Sequence, residues 1–427
     1  GDVDIALVDR AVERVLTQKC ELGMLDGDWA PDLPVSVDMD CAESRSLALV
    51  LARRSIVLLR NDGTLPLPLG HKVAVIGPRA DESSAMLGCY SFPMHVGVHH
   101  PDVPIGVEVP TLLSALTSDY DVTYAQGCPV LGGDDAGITE AVRVAAAADT
   151  CVLVLGDRAG LFGEGTSGEG GDAASLRLPG RQEELLDAVL ATGTPVVLVL
   201  LVGRPYELSR QVDQLAAAVC GFFPGEEGAT ALADVLSGRV NPSGRLPVSF
   251  PSAGANQPTT YLASALAQRS EVSVVDPTPV FPFGHGLSYT PATWVDVERR
   301  SPELWPTDDV CQIAVTLRND AAVATTEVVQ VYLHDPVAEV ARPVRKLIAA
   351  SRVAMAPGQV STVVIDLHAD LTAYTGRSGR RQVDTGDVEL HVGASSMDIR
   401  ATLPATLTGQ RREVDFDRIM APTITVS

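Results

Sequence analysis

Four stretches of this chain are apolar almost without interruption: KVAVIG (72–77), CVLVLG (151–156), PVVLVLLVG (195–203) and AAAVCGFF (216–223). A strand with no in/out alternation has both faces covered, which only helices packed on each side of a parallel sheet provide. The segments between them have helical spacing. AESRSLALVLARRSI precedes KVAVIG, TLLSALTS precedes the further strand DVTYA, and GITEAVRVAAAA precedes CVLVLG. RQEELLDAVLAT precedes PVVLVLLVG, and GEEGATALADVLSG follows AAAVCGFF. Strand and helix in alternation predict a three-layer α/β sandwich with a mainly parallel sheet over residues 41–255.

The period changes to two further on. CQIAVTLRND, TEVVQVYLHD, STVVIDLHAD and DVELHVGA are short alternating strands separated by turn residues. They predict an all-β sandwich of the fibronectin type III-like class over 291–410. The Pro-, Gly-, Ser- and aromatic-rich stretch 256–290 reads as a linker lying on the surface, and 411–427 as a C-terminal tail whose packing the sequence leaves open. At the other end, Ile5, Val8, Val12, Val15 and Leu16 fall at helical spacing, with Asp2 or Asp4 as N-cap and Gly23 as stop. This helix and the acidic, Pro-containing stretch DGDWAPDLPVSVDMD make up residues 1–40. One amphipathic helix cannot form a domain, so it packs either on the next domain or on a domain this sequence does not contain.

Composition removes several functions. Lys plus Arg number 32 and Asp plus Glu 54, a net charge of −22, which opposes binding to phosphate backbones or anionic lipid. The longest apolar run is far shorter than the ~20 residues of a membrane span. Seven cysteines are scattered and never spaced as C-x-x-C. They read as small core hydrophobes, which favours a soluble, cytoplasmic protein over a secreted disulfide framework. The opening GDVDIALVDR has no signal-peptide pattern, although it reads like the interior of something longer.

In open α/β sheets ligands bind beyond the C-terminal ends of the strands. The segment after CVLVLG, DRAGLFGEGTSGEGGDAASLRLPGRQ, is rich in glycine and carboxylates and has no hydrophobic period. It contains a literal G-x-G-x-x-G at Gly163–Gly168. That motif opens no helix, and Glu164, Glu169 and Asp172 would repel a pyrophosphate, so no dinucleotide cofactor is implied. Carboxylates on a loop can also do general acid–base work. On residue chemistry alone a solvated acidic loop is the plainer reading.

The loop SGEGGD followed by LRLPGRQ resembles the C-terminal sandwich domain of family 3 glycoside hydrolases, the β-glucosidase and β-xylosidase group. The resemblance extends along nearly the whole chain. LVDRAVERVLTQKCELGMLD is similar to the helix that leads out of that family's N-terminal barrel. SIVLLRNDGTLPLP and KVAVIGP resemble the entry to the sandwich domain, and VGRPYEL, DVLSGRVNPSGRLPVSFP and FPFGHGLSYT its later landmarks. VVQVYLHDPVAEVARPVRKL, APGQVSTVVIDL and DVELHVGASSMDIR resemble the terminal fibronectin-like domain.

The resemblance implies a retaining β-glycosidase acting on a β-linked oligosaccharide or glycoside. Its acid/base would be Glu169, just before Gly170-Gly171-Asp172, with Glu164 the competing candidate. Asp172 would hold the loop by accepting backbone N–H groups. Phe162 would serve as an apolar platform for a sugar or, equally, as a core anchor. The nucleophilic aspartate of the family lies on the barrel, which would be a partner in cis or as a separate chain. Asp28, in GDW, resembles the nucleophile tripeptide but follows the exit helix and is misplaced. The chain alone would then be inactive, and glycone and linkage preference would be set elsewhere.

Other constellations point to less. His95, His99, His100 and Asp102 lie in a Gly- and Pro-containing segment, so the i, i+4 pair is not expected on one helix face and no metal is implied. His285 reads as a structural tie between linker and sandwich. Ser243 lacks a nucleophile elbow. Trp294 and Trp305 are too few to make a sugar-stacking sheet face, which makes the β-sandwich a brace. The alternative from another class is a non-catalytic carbohydrate-binding or scaffold module.

Overall fold

A computed structural model describes residues 3–31, 36–100, 102–133, 136–253 and 260–427. The chain divides into two compact units, residues 1–44 and 45–427.

The first unit holds helix α1 (Ile5–Glu21), capped by the Asp4 carboxylate, which accepts the Ala6 N–H at 3.0 Å. The other cap considered, Asp2, lies outside the described residues, as do residues 32–35 of the acidic stretch. Gly23, at φ +69°, ends the helix in the left-handed region that favours glycine. No side chain of α1 is buried, and Ile5, Val8, Val12, Val15 and Leu16 are all exposed.

Helix α2 (Ala42–Ser55) crosses the division at Ser44 and leads into the α/β layers. There follow β1 (Val57–Asn61), β2 (Lys72–Ile76), the one-turn α3 (Phe92–His95), α4 (Leu112–Leu116) and β3 (Asp121–Ala125). Then come α5 (Ala136–Ala146), β4 (Thr150–Gly156), α6 (Gln182–Leu190), β5 (Val196–Leu201), β6 (Ala217–Cys220) and α7 (Gly228–Leu236). The sheet order is β1-β6-β5-β4-β2-β3, parallel throughout except for the edge strand β1, which runs antiparallel to β6. Successive residues of the buried strands serve two separate cores. Val152 and Val154 of β4 join Val73, Val75, Val197 and Val199 in one, with α4 and α7. Leu153 and Leu155 join Ile76, Leu198 and Leu200 in the other, with α5 and α6. Covering on both faces is what the unbroken apolar runs require.

The linker corrects one expectation. Residues 256–259 lie outside the described residues, but 280–290 are packed rather than laid over the surface. Phe281 is buried against Phe250, and backbone bonds run from Gly284 N to Leu246 O and from Leu287 N to Leu58 O, both 2.8 Å. The neutral ring of His285 donates from Nε2 to Leu59 O at 2.8 Å and stacks on Phe281. It ties the linker to β1.

The all-β region comprises β7 (Thr293–Arg299), β8 (Leu304–Pro306), β9 (Val310–Arg318), β10 (Thr325–His334), β11 (Lys346–Met355) and β12 (Val360–His368). It continues through β13 (Tyr374–Thr375), β14 (Arg381–Val383), β15 (Gly386–Gly393), β16 (Ile399–Thr408), β17 (Arg412–Glu413) and β18 (Thr423–Val426). The sheets β11-β10-β15-β16-β8 and β18-β12-β9-β7 face each other across one core, with Trp305 among its buried side chains. Residues 411–427, expected as a tail, contribute β18 to the second of these sheets, beside β12, and β17 to a separate small sheet, β13-β14-β17. Within the second unit the sandwich is fastened to the α/β layers by the buried ion pair Arg245–Glu327 at 2.7 Å and by Arg352 donating to Ser243 Oγ at 2.9 Å. Among the described residues, no helix is long and apolar enough to cross a membrane.

Candidate active site

Strand β4 is buried along its whole length, and the loop of interest starts where it ends. Gly156 sits there at φ +148°, and a Cβ would lie 1.9 Å from Leu201 O, so only glycine fits. The buried amide of Gln182, in the first turn of α6, clamps this residue from both sides. Its Oε1 accepts Gly156 N–H at 2.7 Å, and its Nε2 donates to Gly156 O at 2.9 Å.

Asp157 comes next and has no solvent exposure. Its Oδ1 accepts from Thr166 Oγ1 at 2.7 Å and from the Tyr206 hydroxyl, and its Oδ2 accepts Gly203 N–H at 2.8 Å. Burial, followed by the charge of Asp157, pushes the Tyr206 phenol up, so it remains a donor. A carboxylate without water needs such donors. Here they join the loop after β4 to the loop after β5.

Between these anchors the chain doubles back on itself. Thr166 N donates to Arg158 O at 2.8 Å, Gly160 N to Ser167 O at 3.0 Å, and Gly163 N to Glu169 O at 3.1 Å. The glycines permit this approach of backbone to backbone. A Cβ on Gly168 would stand 2.1 Å from Gly160 O and 2.9 Å from Cys89 Cβ. The G-x-G-x-x-G spacing therefore reflects chain-on-chain packing.

The loop displays its functional candidates outward. The Glu169 side chain is exposed, and its Oε2 accepts a hydrogen bond from Tyr90 Oη at 2.6 Å. That donation pushes the Tyr90 phenol above its ordinary range. Glu164 lines a recess of about 460 Å³ together with His99, Met94, Val98 and Leu161. Phe162 is 73% exposed and held at φ +53°, so it is no core anchor. A bulky side chain in the left-handed region marks backbone strain of the kind that collects at functional sites.

Asp172 departs from expectation. It lies in a different recess, of about 680 Å³, which Arg204 and Tyr261 also line. Among the described residues its carboxylate accepts no hydrogen bond, and the holding role belongs to Asp157. The reason is position: Asp172 is exposed where the loop leaves the strand ends, and Asp157 is buried at the strand end itself. Of the histidines, His95 ends α3 and His99 ends a separate 3₁₀ turn, so they share no helix face. Among the described residues, no three His, Cys, Asp or Glu side chains converge as a metal site would need.

The sequence and the geometry together find their match in known proteins. Residues 56–289 match the glycosyl hydrolase family 3 C-terminal domain, and residues 327–396 the fibronectin type III-like domain. The chain belongs to glycosyl hydrolase family 3. Glu164, Glu169 and Tyr90 all fall inside the family 3 match. Relatives in the family include a beta-xylosidase of Formosa agariphila, 33% identical over an alignment of 397 positions that covers 91% of this chain and 54% of that protein. A periplasmic beta-glucosidase of Salmonella typhimurium is 30% identical over an alignment of 438 positions that covers 94% of this chain and 55% of that protein. The crystal structure of a beta-glucosidase from Listeria innocua in complex with glucose superposes with a TM-score of 0.80 at 27% identity, covering 96% of this chain and 56% of that one. The chain thus spans about half the length of the curated relatives it matches.

Proposed function

We propose that this chain is the C-terminal portion of a retaining β-glycosidase of β-glucosidase or β-xylosidase type, and that it supplies the general acid/base, Glu169. The observation that carries this reading is Glu169, one of two exposed glutamates on a loop held by buried polar groups in a family 3 domain and the one whose side chain Tyr90 holds. The nucleophilic aspartate lies on an N-terminal barrel, of which residues 1–40 are the exit helix and linker. In the first step the aspartate attacks the anomeric carbon while Glu169 gives its proton to the departing glycosidic oxygen. In the second, Glu169 takes a proton from water, whose oxygen displaces the aspartate and frees the sugar. Phe162 offers an apolar face to the sugar or aglycone beside the bond that is cut. Asp172, in its separate recess, contacts substrate groups further out.

The test is hydrolysis of aryl β-glucosides and β-xylosides by this chain alone and after adding a family 3 barrel. Turnover is expected only in the mixture. Glu169→Gln should lower it about 10²–10⁴-fold, and Glu164→Gln should leave it near the unmodified level. Turnover by the chain alone would show that it carries a nucleophile of its own. A silent mixture whose parts associate, with saccharide binding unchanged by Glu169→Gln, would favour the scaffold reading.

A further inference from the structure

Two neighbouring contacts join the Glu169 loop to a segment far away in the sequence. Met86 and Leu87 are buried, and Met86 O accepts Gly225 N–H at 2.8 Å, so the chain leaving them starts from the core. Ser91 closes a turn on it, with both its N–H and its hydroxyl donating to Gly88 O, at 3.0 and 2.7 Å. Between these fixed points Cys89 presses on Gly168, where a Cβ would come within 2.9 Å of the Cys89 Cβ. The next residue on each segment makes the polar contact, Tyr90 Oη to Glu169 Oε2 at 2.6 Å. The Tyr90 ring rests edge-on against His95, 6.2 Å between centroids. Packing at 89/168 thus sets the register of the hydrogen bond at 90/169.

We propose that Tyr90 is a positioning residue for Glu169: it holds Oε2, so that Oε1 is the oxygen that gives up and later takes back the proton. This rests on the reading of Glu169 as acid/base. In the neutral acid, Oε2 is the carbonyl oxygen and accepts from the phenol, while Oε1 carries the hydrogen. As the glycosidic oxygen takes that hydrogen, the C–O bond to the anomeric carbon breaks and charge appears on the carboxylate. The bond from Tyr90 becomes charge-assisted and strengthens, which favours the transition state over the ground state. Tyr90 itself gives up no proton. The titratable groups beside Tyr90, apart from Glu169, are Cys89 and His95. Among the described residues only Tyr90 donates to the Glu169 side chain.

The bond can be read in this chain directly, because it has eight tyrosines. With ¹³Cζ-labelled tyrosine, the signal that Tyr90→Phe deletes should titrate above the ordinary phenol range, and Glu169→Gln should return it to that range. A Tyr90 titration that Glu169→Gln does not alter would overturn the proposal. The role is read in the enzyme completed with a barrel. Tyr90→Phe should lower kcat/KM about tenfold on alkyl β-glycosides, which need protonation, and leave 2,4-dinitrophenyl β-glycosides nearly unchanged. An equal loss on both, or none on either while Glu169→Gln is impaired, would also overturn it. If Glu169→Gln keeps full activity on alkyl glycosides, the acid/base reading fails, whatever the tyrosine titration shows.

Discussion

Asp157 illustrates at the scale of one residue how the loop is held. Its two oxygens are met by a hydroxyl, a phenol and a backbone amide, so the base of the loop is held by the fold itself. Asp157→Asn replaces one acceptor by an NH₂ group facing donors and leaves at least one of them unmatched. It should lower stability by about 3 kcal/mol, measured by urea unfolding, with faster amide exchange at 158–171. An unchanged midpoint would mean that water or a shift of the loop replaces the carboxylate. The loop glycines can be tested in the same way. Gly63 and Gly168 both have positive φ, but a Cβ at Gly63 meets nothing within 4 Å, whereas one at Gly168 meets Gly160 O at 2.1 Å. Gly63→Ala should therefore cost about 1 kcal/mol of backbone strain, and Gly168→Ala clearly more, because the loop must move. Equal costs in the two unfolding curves would show that close approach is not what selects glycine at Gly168.

At the scale of elements, the linker from 280 to 290 is the piece whose strength should depend on pH. Burial pushes the His285 imidazole below its ordinary value of 6.5, with the bond to Leu59 O only partly offsetting this. The unfolded chain therefore takes up this proton before the folded one does. The contribution of neutral His285 is fully present above the unfolded value and is lost as pH falls below about 6.5 toward the folded value. The melting temperature should decline from pH 7 to pH 5, and His285→Gln should be less stable at pH 8 but have a shallower decline. Burial also lowers His391, so the slope remaining in the variant is expected; an undiminished slope would remove His285 from the account. What was legible in the sequence follows the same physics. Strands covered on both faces announce themselves as runs of Val, Ile and Leu, and β4 and β5 were plain. Strand β11 buries Ala349 and Ser351 among its inward residues, too weak a pattern to read as an alternation. Strands β17 and β18, of two and four residues, exist only because β14 and β12 offer an edge. In the candidate site, the glycine- and carboxylate-rich loop stood out on its own, and Glu169 and Glu164 were reachable through the resemblance of SGEGGD to the family pattern. Asp157 and Tyr90 were not, since their partners lie far along the chain, at Gly203 and Tyr206 for one and at Glu169 for the other.

For the whole molecule, the unexplained surface is α1. A lone helix of 17 residues is marginal in water, and most helix stability in proteins comes from packing one apolar face. Here that face, with Val8, Val12, Val15 and Leu16, is exposed. If residues 1–40 are the exit helix of a barrel, the barrel must cover this stripe, and covering it should slow amide exchange throughout α1. In this chain alone, hydrogen exchange at 5–21 should run close to the rate of an unstructured peptide, while β4 and β5 exchange only through global unfolding. Adding a family 3 barrel should protect 5–21 by about 100-fold or more. Val12→Lys combined with Leu16→Lys should abolish both that protection and the turnover of the mixture, and leave the unfolding midpoint of the chain alone unchanged, because neither side chain is buried in it. Protection of α1 in the chain alone, equal to that in the mixture, would mean that its stability needs no barrel. It would also remove the argument that residues 1–40 belong to a barrel.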